Sequence, residues 1–173
     1  MADTILVTYA SRTGSTAGVA QAIARTLTDA GAAVTVLPMG EVRDVMPYQA
    51  VVAGSAIQGG RWLPEALQFV EMHRGALSRK PFAAFLVCMT LALPDAEKYR
   101  AHVAGWLAPV RALVPPVSEG LFAGTLEIGK IPALFTRLRF RLSVALGVWA
   151  EGDHRDWGAI HAWAAEIRPL LEA

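Results

Sequence analysis

The chain of 173 residues is long enough for one domain with a substantial core, with or without an insertion, and two domains would be cramped. Its formal net charge of +1, from 16 Lys and Arg against 15 Asp and Glu, gives no indication of a nucleic-acid partner. The single cysteine, Cys88, excludes an internal disulfide and any metal site built from several cysteines.

Short apolar runs alternate with stretches of helical periodicity along the chain. Strands are predicted over residues 4–9, 32–37, 50–55, 82–88 and 118–124. Helices are predicted near residues 15–29, 63–77, 95–114 and 155–171, whereas residues 38–49, with two prolines and a glycine, are predicted to be a connector. Three of the strands have the continuous apolar character of parallel strands buried on both faces. The alternation therefore indicates an α/β fold with a parallel sheet between two layers of helices.

One predicted helix, residues 131–149, does not fit this alternation. At 100° per residue its apolar side chains gather on one stripe, formed by Leu134, Phe135, Leu138, Leu142, Ala145, Leu146 and Trp149. Arg137 and Arg141 flank the stripe on one side and Arg139 on the other, while Phe140 points nearly opposite. Two interpretations stay open: the helix packs its stripe on the sheet, or it presents a basic apolar surface to a membrane or a second subunit.

The turn between the first strand and the first helix has the sequence SRTGST, residues 11–16. Open α/β sheets bind ligands at this edge, and a helix N-terminus attracts an anion through its unpaired N–H groups. Four hydroxyls, from Ser11, Thr13, Ser15 and Thr16, together with Gly14, predict a site for one phosphate monoester. Arg12 is expected to add charge. The alternative is that Ser15 or Thr16 merely caps the helix.

Other phosphate motifs are absent from this turn: neither G-x-G-x-x-G nor G-x-x-x-x-G-K-[ST] occurs there. The stretch TYASRTGST instead resembles the phosphate loop of flavodoxins, [ST]-x-T-G-x-T. The stretches VVAGSAIQGGRWLPEALQFV, PFAAFLVCMTL, LFAGTL and EGDHRDWGAIHAWA resemble the flavodoxin-domain branch that contains menaquinone-dependent protoporphyrinogen IX dehydrogenases. The resemblance covers nearly the entire chain. It implies a single flavodoxin-like domain over residues 1–173, a doubly wound five-stranded parallel sheet of order 2-1-3-4-5, and a helical insertion at residues 126–150.

The resemblance also implies FMN bound by three loops at the carboxyl edge of the sheet. The phosphate would be held by Ser11, Arg12, Thr13, Gly14, Ser15 and Thr16. One side of the isoalloxazine ring would be lined by Ser55, Ala56, Ile57, Gln58, Gly59 and Gly60, and the other side by Met89, Thr90 and Leu91. The glycine pair is expected to bring the backbone close to the ring, the alternative being a simple tight turn.

The implied function is an FMN-dependent oxidoreductase that passes electrons from an organic donor, a tetrapyrrole among the candidates, to a quinone or redox-protein acceptor, as in haem biosynthesis. A flavodoxin-type electron carrier and a non-catalytic scaffold are the alternatives. The near-neutral charge and the lack of aromatics in CMTLALPD favour an enzyme over a carrier. No side chain is assigned a catalytic role: the four histidines lack metal-ligand spacing, and Cys88 is expected to be an inert buried thiol. Arg61 is either a partner for a substrate carboxylate or an ordinary solvated residue.

Two further expectations concern the end of the chain and its location. Asp153 is predicted to cap the last helix with Asp156 as its capping-box partner, and Trp157 and Trp163 are predicted to be packing residues of that helix. The chain begins without the charged leader and long apolar region of a signal peptide, so a cytoplasmic location is expected. No apolar run approaches the roughly 20 residues that span a bilayer, so any membrane contact would be peripheral.

Overall fold

A computed structural model describes residues 4–173, so residues 1–3 of the predicted domain lie outside the described residues. The strands of this part of the chain are β1 (Thr4–Ala10), β2 (Ala33–Pro38), β3 (Ala50–Gln58), β4 (Arg61–Trp62), β5 (Phe82–Cys88), β6 (Ser118–Ala123), β7 (Thr125–Leu126) and β8 (Gly152–Asp153). β2, β1, β3, β5 and β6 lie side by side in this order, and all four pairings are parallel. Counted among these five strands alone the order is 2-1-3-4-5, which confirms the predicted fold.

The helices are α1 (Ser15–Asp29), α2 (Pro64–Met72), α3 (Arg74–Leu77), α4 (Ala96–Gly105), α5 (Ala108–Leu113), α6 (Leu134–Ala145) and α7 (Trp157–Leu171). The predicted bounds of α1 are correct. The predicted helix 95–114 is divided instead into α4 and α5, and Pro109 stands in the first turn of α5. A proline is tolerated there because its missing N–H would be unpaired anyway.

Apolar residues alternate between the two faces of the sheet and form one core on each. Leu6, Val51 and Ala84 point to the face that α2 covers, and Ile5, Val52 and Phe85 to the face that α1 and α7 cover. β5 is buried at every position, because it lies between β3 and β6 and is covered on both faces. This agrees with the continuous apolar sequence of that strand.

Phe85 sits at the centre of the second core, between two glycines. Its neighbours across the sheet are Gly54 in β3 and Gly120 in β6. The Phe85 ring lies over Gly54 so closely that a Cβ there would be 2.0 Å from the ring. The ring also meets Trp163 edge-on, with centroids 6.1 Å apart. The indole Nε1 of Trp163 donates to Ser118 Oγ at 3.0 Å, so Trp163 is a packing residue, as predicted.

The start of α7 differs from its prediction. Asp156 is the N-cap, and its Oδ1 accepts a hydrogen bond from the N–H of Ala159 at 2.9 Å. Asp153, the predicted cap, lies in β8 and pairs with Arg155 at 2.7 Å. The Arg155 guanidinium stands over the Trp157 ring, 4.4 Å from its centroid, so Trp157 lies at the partly exposed start of the helix and not in the core.

α6 is shorter than the predicted helix 131–149, and its apolar stripe faces solvent and not the sheet. It ends in a Schellman motif: Gly147 has a φ of 73°, and the Val148 N–H donates to the Ser143 carbonyl at 2.9 Å. The apolar stripe is exposed to solvent from Leu134 to Leu146. The interpretation that the helix packs this stripe on the sheet is therefore wrong. β7 pairs antiparallel with β8, which joins the two ends of the segment that carries α6.

Gly54→Ala is expected to lower the free energy of unfolding by about 1–3 kcal/mol, because the added methyl overlaps the Phe85 ring and the packed core cannot move away. Gly75→Ala in α3 is the matched control, since no atom lies within 4 Å of its added Cβ. The control should change stability by less than about 1 kcal/mol, with a gain from higher helix propensity. Urea unfolding followed by circular dichroism measures both, and equal stabilities would contradict the packing of Phe85 on Gly54.

Candidate functional site

A cavity of about 370 Å³ opens at the carboxyl edge of the parallel sheet, a volume within the usual range of small-molecule sites. Its walls come from the β1–α1 loop, the ends of β3 and β5, and the segment that runs from β6 into α6. We call it the site cavity. The predicted site residues that line it are Ser11, Arg12, Thr13, Ser15, Thr16, Ala56, Ile57, Gln58 and Met89. The predicted residues that do not line it are Gly14, Ser55, Gly59, Gly60, Thr90 and Leu91.

Gly14 shapes the start of α1 without lining the cavity. It is the N-cap residue with a left-handed φ of 93°, and no side chain caps the helix. Ser11 Oγ stabilises the loop by accepting the N–H of Gly14 at 3.1 Å. The alternative that Ser15 or Thr16 merely caps α1 is therefore wrong. The first turn, which carries no acidic residue, presents its positive end to the cavity.

Ser15 and Thr16 have different roles although they are adjacent. Ser15 Oγ accepts the N–H of Thr125 at 3.0 Å, so this hydroxyl holds β7 against the start of α1. Thr16 is completely buried, lines the cavity, and its Oγ1 has no hydrogen-bond partner. A buried hydroxyl without a partner costs about 1–3 kcal/mol. Thr16 lies in the first turn of α1, where a hydroxyl donor and the positive end of the helix both favour an anion.

Arg12 does not add free charge to the loop. Its guanidinium forms a two-pronged ion pair with Glu65 in α2, in which Nη2 donates to Oε2 at 3.1 Å and Nη1 to Oε1. This hydrogen bonding lowers the pKa of Glu65 and raises that of Arg12. In this arrangement Glu65 balances the charge of Arg12, and a contribution of Arg12 to phosphate binding stays a prediction.

The end of β3 reaches the cavity with Ala56, Ile57 and Gln58, whereas Gly59 and Gly60 of the turn after it do not line the cavity. Gly59 and Gly60 have φ of 60° and 71° and form the two-residue turn that pairs β3 with β4. Two positive φ values in a row are the pattern of a type I′ hairpin. The glycines form a tight turn outside the cavity lining, and their close approach to a ring stays a prediction.

Ser55 and Leu91 support the cavity from behind. Ser55 is fully buried; its Oγ accepts the Leu63 N–H at 3.0 Å and donates to the Ala56 carbonyl at 2.8 Å. These bonds fix the backbone near the end of β3, where Ala56 lines the cavity. Leu91, in the 3-10 turn after β5, packs against the core instead.

The largest difference from the prediction is a fourth wall, made by the segment that follows β6. It consists of Gly124, Thr125, Leu126, Glu127, Ile131, Pro132, Ala133, Thr136 and Phe140. A Cβ on Gly124 would lie 3.1 Å from Ser15 Oγ, so a glycine permits the close approach of this wall to α1. The sequence carried one signal of this wall, because Phe140 is an aromatic residue opposite the apolar stripe. The structure explains this position, since Phe140 lies on the face of α6 that is turned toward the cavity.

The charges around the cavity are largely balanced. Besides the Arg12–Glu65 pair, Glu127 accepts from Lys130 at 2.7 Å. Within residues 4–173, no cluster of three His, Cys, Asp or Glu side chains is arranged to hold a metal ion. Arg61, in β4, is exposed and not part of the lining. The cavity therefore combines one polar, hydroxyl-rich end with apolar walls.

A family model described as a flavodoxin domain matches residues 6–143. The chain belongs to this family. No curated protein sequence matches the chain. In the part of this flavodoxin domain that the structure describes, no helix has the length and apolar character needed to cross a membrane.

Solved flavodoxin structures share the fold at low sequence identity. A flavodoxin from Streptococcus pneumoniae TIGR4 superposes with a TM-score of 0.61 at 15% identity, covering 96% of this chain and 99% of that one. A flavodoxin from the domain Archaea gives 0.57 at 15% identity, with 98% and 99% covered. A mutant of Fusobacterium nucleatum flavodoxin, whose structure has flavin mononucleotide bound, gives 0.50 at 15% identity, with 71% and 69% covered.

Cys88 lines the cavity at the end of β5 and is almost fully buried. Burial raises the pKa of its thiol above the ordinary value, so the neutral form dominates near pH 8. Because the thiolate is the nucleophile, we expect iodoacetamide at pH 8 to alkylate Cys88 at least tenfold more slowly in the native flavodoxin domain than in urea. Mass spectrometry follows the reaction unambiguously, since the chain has one cysteine. Equal rates in the native and unfolded chains would contradict this burial.

Proposed function

We propose that the protein binds FMN in the site cavity and acts as an FMN-dependent oxidoreductase. The observation that carries the proposal is the Thr16 hydroxyl, which is buried, unpartnered and part of the cavity lining at the start of α1. A phosphate oxygen accepting from this hydroxyl would remove the cost of burying it. The family and the FMN-bound flavodoxin among the structural neighbours support the same cofactor.

The residues present fit FMN at both ends of the cavity. The phosphate would lie against the first-turn N–H groups of α1, with Thr13 and Thr16 donating from their hydroxyls and Ser11 holding the loop. Gly14, without a side chain, leaves that approach open. Arg12 would stay with Glu65 and border the site as a neutral pair. The phosphate would thus be held mainly by neutral donors and the helix end.

The ring would occupy the apolar part, between the end of β3 and the end of β5. Ala56, Ile57 and Gln58 would border one side and Met89 the other, with Phe140 on the fourth wall. Ser55, Gly59, Gly60, Thr90 and Leu91 would shape these loops without touching the ring. Bound there, FMN supplies hydride and electron transfer, and the protein supplies orientation and exclusion of water.

Three observations support an oxidoreductase of the protoporphyrinogen dehydrogenase type. The stretches that resemble this branch extend along nearly the whole chain. The fourth wall adds apolar surface from Ile131, Pro132 and Phe140 beside the ring site, suited to an oily organic donor such as a tetrapyrrole. The net charge of +1 lacks the strong acidity that flavodoxin-type carriers use toward partners. In this proposal residues 1–173 form one flavodoxin-like domain, residues 126–150 are its helical insertion, and a quinone accepts the electrons.

An electron carrier is the second candidate, favoured by the structural neighbours, which are named as flavodoxins. Two measurements separate the candidates. The protein incubated with FMN should stay yellow after free FMN is removed by gel filtration, and a colourless protein after that step would exclude both. The FMN-loaded protein should then oxidise protoporphyrinogen IX with menadione as acceptor, at a rate above that of free FMN. A carrier would show no such turnover, and dithionite would reduce it in two separated one-electron steps.

Thr13→Ala combined with Thr16→Ala is expected to weaken FMN binding at least tenfold. The two hydroxyls contribute roughly 0.5–1.5 kcal/mol each, or more toward a charged phosphate, and about 1.4 kcal/mol corresponds to tenfold. Fluorescence titration of FMN measures the change. Thr28→Ala is the control, because Thr28 lies in the last turn of α1, far from the cavity lining, and its hydroxyl donates to the Ala24 carbonyl within the helix. Unchanged affinity in the double variant would show that the phosphate binds elsewhere.

Thr16→Val separates the loss of a ligand contact from loss of the fold. Valine keeps the shape of threonine but removes the unpartnered hydroxyl. The FMN-free variant should be as stable as the parent or more stable, by up to about 1–3 kcal/mol, while FMN affinity falls. Urea unfolding without FMN gives the first quantity, and FMN titration gives the second. Destabilisation of the FMN-free form would show that Thr16 has an internal partner.

A further inference from the structure

α6 has two faces with different environments. Thr136 and Phe140 on the inner face line the site cavity. The outer face carries an unbroken row of large apolar side chains that are mostly exposed: Leu134 72%, Phe135 82%, Leu138 62%, Leu142 61% and Leu146 71%. Val148 continues the row beyond the helix at 55%. Contiguous exposed apolar surface of this kind is uncommon on a soluble monomer and marks a contact site.

The charges beside this row have one sign. From residue 128 to residue 150 the sequence contains one lysine and three arginines but no aspartate or glutamate. Arg139 and Arg141 are exposed, and their helical positions lie on opposite sides of the apolar row. Arg137 lies further round the helix, where its guanidinium donates to the Ile131 carbonyl at 2.7 Å. We call Leu134, Phe135, Leu138, Leu142 and Leu146, with Arg139 and Arg141, the α6 outer face.

We propose that the α6 outer face docks the protein on the surface of an anionic lipid bilayer. A helix that lies in a membrane interface needs an apolar face to enter the acyl boundary and cations at its flanks to meet lipid phosphates. The α6 outer face has both. At 1.5 Å per residue, α6 is about 18 Å long, far shorter than a bilayer core, so it lies along the surface.

Charge argues for lipid over a second copy of this chain. A two-fold dimer would place the same patch on both partners, so the arginines of one α6 would face those of the other with no carboxylate on the helix to pair them. An anionic bilayer supplies the opposite charge for both flanks at once. The attraction of both arginines to lipid phosphates would add to the burial of the leucines and Phe135.

Docking in this orientation would bring the bilayer close to the site cavity. Because Phe140 and Thr136 line the cavity from the opposite side of the same helix, the cavity wall is about one helix diameter, roughly 10 Å, from the lipid. An apolar reactant dissolved in the bilayer would be held near the cavity. The docking itself requires no cofactor and therefore stands apart from the proposed function.

The test is sedimentation of the full chain with vesicles of phosphatidylglycerol and phosphatidylcholine mixed equally, compared with phosphatidylcholine alone. We expect binding to the anionic vesicles at least tenfold tighter than to the neutral ones. Leu138→Glu with Leu142→Glu should abolish it, and Arg139→Glu with Arg141→Glu should weaken it at least tenfold. All four side chains are exposed, so these variants should fold normally, as circular dichroism will verify.

Matched controls make the same kinds of substitution at exposed positions outside α6. Met72→Glu adds a charge at an apolar side chain that is 71% exposed at the end of α2. Arg79→Glu with Arg100→Glu changes the net charge as much as the α6 arginine variant, at exposed positions outside α6. Both controls should bind anionic vesicles within about twofold of the parent. A loss as large as that of the α6 variants would overturn the proposal in favour of general electrostatic adsorption.

Two other results would also overturn it. One is equal binding to both vesicle types, or none to either. The other is a dimer in light scattering that Leu138→Glu dissociates, since a second copy would then cover the α6 outer face. FMN titration of the same variants keeps the two proposals distinguishable, because the substituted side chains point away from the site cavity. Vesicle binding without FMN binding would refute only the proposed function, and FMN binding without vesicle binding only the docking.

Discussion

The site depends on the open N-terminus of α1. Gly14 adopts a left-handed φ where the loop after β1 enters the helix, and no side chain caps the first N–H groups of α1. Ser15, the nearest hydroxyl, bonds Thr125 instead, and the Thr16 hydroxyl is buried without a partner. Buried polar groups are rarely left unpaired, so an unpartnered hydroxyl in the wall of a cavity requires an explanation. The remaining walls of the cavity are arranged around this polar end.

The orientation of α6 is unusual for a surface helix. A helix at the surface of a soluble protein normally turns its apolar face to the core, because burial of that face drives its docking. α6 instead places Phe140 toward the cavity and its leucines toward solvent. Its attachment rests on the β7–β8 pairing and on Arg137, which holds the Ile131 carbonyl before the helix. The free energy available from the outer apolar face is therefore left for a partner.

The charged side chains at the cavity form ion pairs, whereas α6 carries arginines and no acidic residue. At the cavity, Arg12 is matched by Glu65 and Lys130 by Glu127, so neither pair offers net charge to a ligand. On α6, Arg139 and Arg141 have no acidic neighbour along the helix. Exposed ion pairs contribute little stability, and their main effect here is to set which surfaces carry free charge. A dianionic phosphate would consequently rely on hydroxyls and backbone N–H groups.

Local sequence determined the alternation of strands and helices and the bounds of α1, because strand burial, helix periodicity and turn residues are encoded over short distances. The strand order came from the resemblance to flavodoxins, and the phosphate loop stays a prediction. Tertiary structure decided the pairings over long separations: Arg12 with Glu65, Ser15 with Thr125, and the fourth wall at Phe140. It also decided the orientation of α6. Periodicity located the apolar stripe but gave only the line on which it lies; which side meets solvent depends on how β7 and β8 anchor the segment against the rest of the fold.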